Sequence, residues 1–453
     1  MSSLLSADSV AVRPARIHWG LLVQIAAGVL PATGLVAIGR PAAGGIWIFA
    51  VTLALLAWQV VRQDRLAFAV IAVGSIPVLM LLRNFFYFSS VTAILAAGLA
   101  LWLLASAGEF QELWSGPLPL FLALAGLYWW TSFAWTGDYS ANLRVLELAF
   151  SAANVFLLGR YRSFLATALL GIGLSVTAVG LGLLPYGRRL GMARIDDILL
   201  GNPASLGIPA TLIFLLCLAE RGQWLLLQGR PFLRLLLSVS AGACLLLSTS
   251  RGSWFIAIGG LLVLFLLSRR QRGSLAVSLL PLVVVILAVL ESERGAAVVD
   301  YFLRAVSSER TLAERTAGRF DQWASFPEIF AASPIWGHGP GSGMDTYLRF
   351  AGRRLAWHSL YLQVGVEAGS IGLLALSILI SWFLFRGFTH WRLCGQVLPL
   401  TATLCFLGIG LSVSGMDAIS GVFLGLGFLA GDFSRMAVLG RRYAFHGRCS
   451  HVC

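Results

Sequence analysis

Residues 165–185 read Leu-Ala-Thr-Ala-Leu-Leu-Gly-Ile-Gly-Leu-Ser-Val-Thr-Ala-Val-Gly-Leu-Gly-Leu-Leu-Pro, a run with no charged side chain, bounded by Arg160 and Arg162 before it and Arg188 and Arg189 after it. A helix needs about 20 mostly apolar residues to cross a bilayer. Inside the hydrocarbon its backbone groups must be satisfied within the segment, which selects a helix. Basic residues just outside such a run are the usual orientation signals. The run reads as a membrane span. Its like recur near 20–38, 45–61, 66–82, 89–107, 117–134, 143–158, 203–219, 232–248, 253–268, 275–291, 359–385, 393–413 and 417–436. The expected fold is all-α: a polytopic integral membrane protein of about 12–14 transmembrane helices with one long loop away from the cytoplasm.

Composition agrees. Of 453 residues, 58% are hydrophobic and 12% charged, where soluble domains carry about a quarter charged residues. No single aqueous core can hide that much apolar surface, so the bilayer must act as solvent. The net charge of +13 does not point to nucleic acid, because the basic residues, all arginine, fall mainly in short segments between apolar runs. Cys217, Cys244 and Cys405 lie within apolar runs, and Cys449 and Cys453 lie in a basic tail. No metal spacing or disulfide framework results, and free thiols are expected. Arg13 and Arg16 before a long apolar stretch predict an uncleaved first span.

Arginine placement sets the orientation. With the N-terminus inside, cytoplasmic turns carry Arg62 and Arg65, Arg160 and Arg162, Arg221 and Arg230, Arg269 and Arg270, Arg386 and Arg392, and the tail from Arg435. Both termini are then cytoplasmic. The turn 108–116, with Glu109 and Glu112, gives this no support. The chain divides into a helical region 1–291, a long outer loop 292–357, and C-terminal helices with a basic tail over 358–453. The loop holds eight arginines. Long loops cross regardless of charge, so these arginines are not orientation signals.

Three outer-face stretches carry candidate chemistry. The first runs from Tyr186 through Arg188, Arg189, Arg194, Asp196 and Asp197 to Asn202-Pro203, where Asn202 predicts an N-cap and Pro203 a first helical residue. The second is Ser248-Thr-Ser-Arg251-Gly-Ser-Trp254, a short hairpin that fixes Arg251 at the membrane surface. The third links Arg319-Phe-Asp-Gln-Trp323, Pro334-Ile-Trp-Gly-His-Gly-Pro-Gly-Ser342 and Trp357-His358-Ser-Leu-Tyr-Leu-Gln363. Planar guanidinium groups bind phosphate oxygens through a bidentate fork, which suits a diphosphate. A histidine beside them takes a proton from an attacking hydroxyl near neutral pH. The Gly- and Pro-rich segment supplies a tight backbone bend next to the site.

These motifs, in this order and spacing over roughly residues 190–385, resemble the O-antigen ligase and polymerase superfamily. The resemblance implies a bacterial inner-membrane glycosyltransferase, with its long loop and active site periplasmic. It implies transfer of a glycan from undecaprenyl diphosphate to lipid A–core or another glycan acceptor, inverting and independent of metal or other cofactor. Carried over, Arg251 and one of Arg188, Arg189 and Arg194 bind the diphosphate, with Arg194 favoured by its distance to Asn202-Pro203. His358 is the catalytic base or acceptor-orienting residue. It is followed by serine where asparagine is common in the family.

Plainer readings stand beside these. Arg251 can snorkel at a helix end, Arg194 can pair with Asp196 or Asp197, and Arg319 can bond the loop to itself before it binds any phosphate. His338 is a second candidate base, and His358 a possible helix-start residue without chemistry. Asp196-Asp197 as a metal pair is disfavoured, since adjacent loop carboxylates are more often solvated. Trp254, Trp357 and Tyr361 fit an interfacial belt. Polymerase and protein O-oligosaccharyltransferase share the motifs with a ligase. A lipid-linked glycan transporter would need polar groups lining a midplane path, and the spans read as nearly free of charge at that depth, with no paired broken spans.

Overall fold

The computed structural model describes residues 16–80, 118–135, 139–159, 161–189, 204–219, 230–248, 250–267, 319–394, 397–412 and 418–429, with isolated positions between 279 and 291. Among these the regular structure is helical throughout. In chain order the helices are α1 (Trp19–Ala37), α2 (Pro41–Val61), α3 (Arg65–Gly74), α4 (Leu118–Trp135), α5 (Tyr139–Gly159), α6 (Arg162–Arg189), α7 (Ala204–Ala219), α8 (Pro231–Leu247), α9 (Arg251–Leu267), α10 (Arg319–Ala332), α11 (Gly343–Ala351), α12 (Leu360–Cys394) and α13 (Leu398–Ser412); α14 is Ala418–Leu429. Four stretches, Trp19–Ala37, Pro41–Val61, Ser163–Gly182 and Leu360–Arg392, are long and apolar enough to cross a membrane, and shorter apolar helices accompany them. The all-α polytopic expectation holds. The predicted span 89–107 lies outside the described residues, as does most of 275–291.

Local signals account for the helix starts. Proline opens α2 and α8, where its missing N–H costs nothing. Asp64 caps α3 by accepting the Ala67 N–H at 2.9 Å. Helix α6 runs to Arg189, so Arg188 and Arg189, read as part of the outer-face stretch after the span, still belong to the helix. It is the most enclosed of the four long spans and packs against α1, α3, α7 and α8. Small residues permit these close approaches. Ser175 Oγ donates to the Gly74 carbonyl at 2.7 Å where α6 crosses α3, and a Cβ on Gly74 would sit 3.3 Å from the Cα of Gly171.

Two departures from the expected architecture shape the site. Within the loop 292–357, the described part is a packed unit: α10 and α11 enclose Ile329, Tyr347 and Trp357 against Val366 of α12. Helix α12 is also broken. Gly369 has φ 60° and ψ −153°, and the turn segment 333–339 lies against the gap. The N–H groups of His338 and Gly339 donate to the carbonyls of Val366 and Glu367 at 2.8 and 3.0 Å, while the Ser370 N–H donates to the Pro334 carbonyl at 2.8 Å. Irregular backbone at membrane depth survives only where protein supplies such partners.

Gly369 occupies a region of φ/ψ space that is essentially glycine-only, and its Cβ position is filled by the backbone of Ile335 and Gly337. Gly369→Ala is therefore expected to cost about 3 kcal/mol or more, strain and clash together, read as a lower melting temperature of the detergent-solubilised protein. Gly20→Ala, where no atom lies within 4 Å of an added Cβ, is the control and should melt like wild type. Equal melting of both variants would show that the break does not need glycine.

Candidate active site

The α8–α9 turn is built from serines. Ser250 Oγ accepts from the Ser253 N–H at 3.4 Å and from Ser253 Oγ at 2.8 Å, which is N-cap geometry. This cap makes Arg251 the first residue of α9, rather than a residue of the connecting turn. Its guanidinium thereby joins the positive end of the helix dipole, and both favour an anion. Helix α7 begins at the same face, because Thr211 Oγ1 reaches the Ser253 carbonyl at 3.2 Å. Helices α6 and α8 run parallel, with Gly173 beside Leu237 and Gly180 beside Cys244. Arg188 and Arg189 thus close α6 at the end of the bundle that carries Arg251. Arg194, Asn202 and Pro203 lie outside the described residues.

Arg251 and Arg319 line one cavity of about 580 Å³. Arg319 is the first residue of α10, so each arginine stands at a helix start. Phe255, Gly259 and Val263 continue the cavity along α9, and Leu404, Gly408 and Leu411 supply the α13 wall. Spacing of four keeps the α9 set on one face. From Arg251 to Val263 the trough extends roughly 18 Å at 1.5 Å per residue. Helix α13 lies antiparallel to α9, with Cys405 beside Gly260 and Gly408 beside Ile256. The cavity thus has two cations at its head and an apolar trough behind them, which fits an elongated lipid with an anionic head group.

His358 is not among the residues lining that cavity. It is half-buried beside α10, two residues before the start of α12. Its backbone N–H donates to Gln322 Oε1 at 3.2 Å, and Gln322 Nε2 donates to the Ala356 carbonyl at 2.8 Å. Gln322 is buried on α10, next to the cavity residue Trp323. Two residues after His358, Leu360 packs on Gly410, and Tyr361 donates its hydroxyl to the Leu407 carbonyl at 3.0 Å, beside the cavity residue Gly408. His338 sits elsewhere. Its Nε2 lies 2.8 Å from the Ile329 carbonyl, its ring meets Phe350 edge-on at 5.8 Å, and its N–H closes the break in α12.

Sequence reading missed two buried carboxylates, Glu147 of α5 and Glu367 of α12, so the spans are not as free of charge as they read. An acid seven residues into an apolar run was the available signal for Glu367. Nothing local marked Tyr128 as its hydrogen-bond partner, or Gln322 as the partner of the His358 backbone.

The fold and cavity define a polytopic helical membrane protein with two arginines at one end of an apolar groove. Residues 236–377 match the family profile described as O-antigen ligase, which supports the O-antigen ligase superfamily. The match spans Arg251, Arg319, the Gly- and Pro-rich segment and His358, and supports a membrane glycosyltransferase function of the ligase or polymerase type. No curated protein matches the chain.

Proposed function

We propose that the protein transfers a glycan from undecaprenyl diphosphate to an acceptor such as lipid A–core at the periplasmic face of a bacterial inner membrane. The observation that carries this reading is the convergence of Arg251 and Arg319 at the head of an apolar cavity of about 580 Å³, inside the segment that matches the family. The isoprenoid chain lies along α9 and α13, entering sideways from the bilayer. The diphosphate meets Arg251, Arg319 and one arginine of the 188–194 stretch, Arg194 being favoured there. An acceptor hydroxyl attacks the anomeric carbon from the face opposite the diphosphate and inverts it. His358 takes the hydroxyl proton as the new C–O bond forms. The bond to the diphosphate breaks, and the diphosphate leaves with the electron pair. Preset guanidinium groups stabilise that growing charge most in the transition state.

The test uses the purified wild-type protein, radiolabelled glycan on undecaprenyl diphosphate, lipid A–core, and EDTA. Labelled lipid A–core is the expected product. Elongation of the lipid-linked glycan instead would make the protein a polymerase, and transfer to a serine or threonine peptide a protein O-oligosaccharyltransferase. No product in EDTA but transfer on adding a divalent cation would overturn metal independence. No covalent product under any condition would favour a transporter.

A further inference from the structure

We propose that Glu367 is a positioning residue: it holds the start of α11 and the glycine turn before it, and through them sets the segment that carries Trp357 and His358. This rests on the reading of His358 as the acceptor-side base.

Glu367 is only 2% exposed, and four donors converge on its two carboxylate oxygens. They are the N–H groups of Gly341 at 3.0 Å and Gly343 at 3.3 Å, Gln363 Nε2 at 3.0 Å, and the hydroxyl of Tyr128 from α4. The Gly341 N–H is shared with the Tyr128 oxygen at 3.3 Å. One carboxylate thus ties together α4, the turn 339–343 and its own helix just before the break at Gly369. Gly343 is the first residue of α11, where backbone N–H groups lack helical partners and a negative group is favoured.

The same Gly343 is gripped from its other side. Its carbonyl accepts the Trp357 indole N–H at 3.0 Å. A Cβ there would lie 2.8 Å from Glu367 Oε1 and 2.9 Å from Trp357 Cδ1, so carboxylate and indole leave no room for a side chain between them. Trp357 is buried, with its ring 5.3 Å from that of Tyr347, and His358 follows it directly. The contacts run Glu367, Gly343, Trp357, His358. None of these residues lines the cavity headed by Arg251 and Arg319. Disturbing Glu367 should therefore shift the acceptor side and spare the donor side.

Glutamine is the informative replacement because it keeps the volume. It offers one acceptor oxygen, and its amide N–H groups must face two of the four donors. That leaves buried donors opposed to donors, and such groups are costly to leave unpaired.

The full-length protein is compared as wild type, Glu367→Gln, Tyr128→Phe and the double variant. One readout is amide hydrogen exchange; the other is transfer with donor and acceptor varied separately. In Glu367→Gln, residues 339–358 should exchange about tenfold faster while α6 and α9 keep their protection. The acceptor kcat/KM should fall about a hundredfold, the scale of a 1 Å misplacement, with the donor KM unchanged. Tyr128→Phe should move both readouts the same way by less. The double variant should add little to Glu367→Gln, because the two residues share one bond. If Glu367→Gln does not fold, Tyr128→Phe carries the test. Unchanged exchange over 339–358, or a donor KM that rises with the acceptor effect, would overturn the proposal. So would protection lost evenly along the chain in both single variants. A wild type that transfers nothing would defeat the ligase reading alone, since the exchange pattern still decides whether Glu367 holds this segment.

Discussion

Replacing Arg251 with alanine is expected to lower glycan transfer by about a hundred- to a thousandfold, the loss seen when one preset donor to a developing anion is removed. Three features make Arg251 the most sensitive cation. It is the first residue of a 17-residue helix, so the helix dipole reinforces its charge. Its backbone is fixed by the Ser250–Ser253 cap, which spares ordering cost at the moment of reaction. It also shares its cavity with Arg319, so in the proposed complex two planar forks address one diphosphate. Because the proposed donor is already a diphosphate in the ground state, its KM should rise as well as kcat fall. The larger part of the loss belongs in kcat, where a further negative charge forms. Arg251→Lys should recover only part of the activity, since an ammonium keeps the charge and loses the fork. Arg353→Ala, an exposed change in the segment after α11, is the control. Wild-type rates for Arg251→Ala under limiting enzyme would remove this arginine from the site.

The features legible in the sequence were those with a local physical signal. The charge-free run 165–185 announced α6, and the serine-flanked Arg251 announced a cation at a helix boundary. The hidden ones depend on partners far along the chain. Residues 359–385 read as a single continuous span, because the hydrogen bonds that permit the break at Gly369 come from Pro334, His338 and Gly339. The glycines of the 337–341 turn suggested only a bend, though the same residues form the inserted backbone. Helices α10 and α11 went unread inside a polar loop: they are short, and the few apolar residues they bury, Ile329 and Tyr347, pack with Trp357 and with Val366 from far along the chain. Arg319 looked like a loop-internal charge, and only the packing of α10 brings it to the cavity of Arg251. Glu367 was visible as an acid in an apolar run, but its bond to Tyr128 joins positions 239 residues apart.

Changing His358 to alanine should lower kcat by about a hundred- to ten-thousandfold, the range contributed by a positioned general base. The donor KM should stay near wild type, opposite to the expectation for Arg251→Ala. The split follows from placement. Arg251 lines the cavity, whereas His358 does not. Its main chain is gripped by Gln322 on one side and by the buried Trp357 on the other, so truncating the imidazole leaves the backbone in place. A more acidic acceptor hydroxyl needs less help from a base, so the variant's deficit should shrink as acceptor pKa falls. The decisive measurement is single-turnover transfer at saturating donor, with acceptors of graded acidity. A deficit that stays constant across that series would reassign His358 from proton transfer to acceptor orientation. Full activity in the variant would move the base elsewhere, with His338 the first residue to test despite its Nε2 contact with the Ile329 carbonyl.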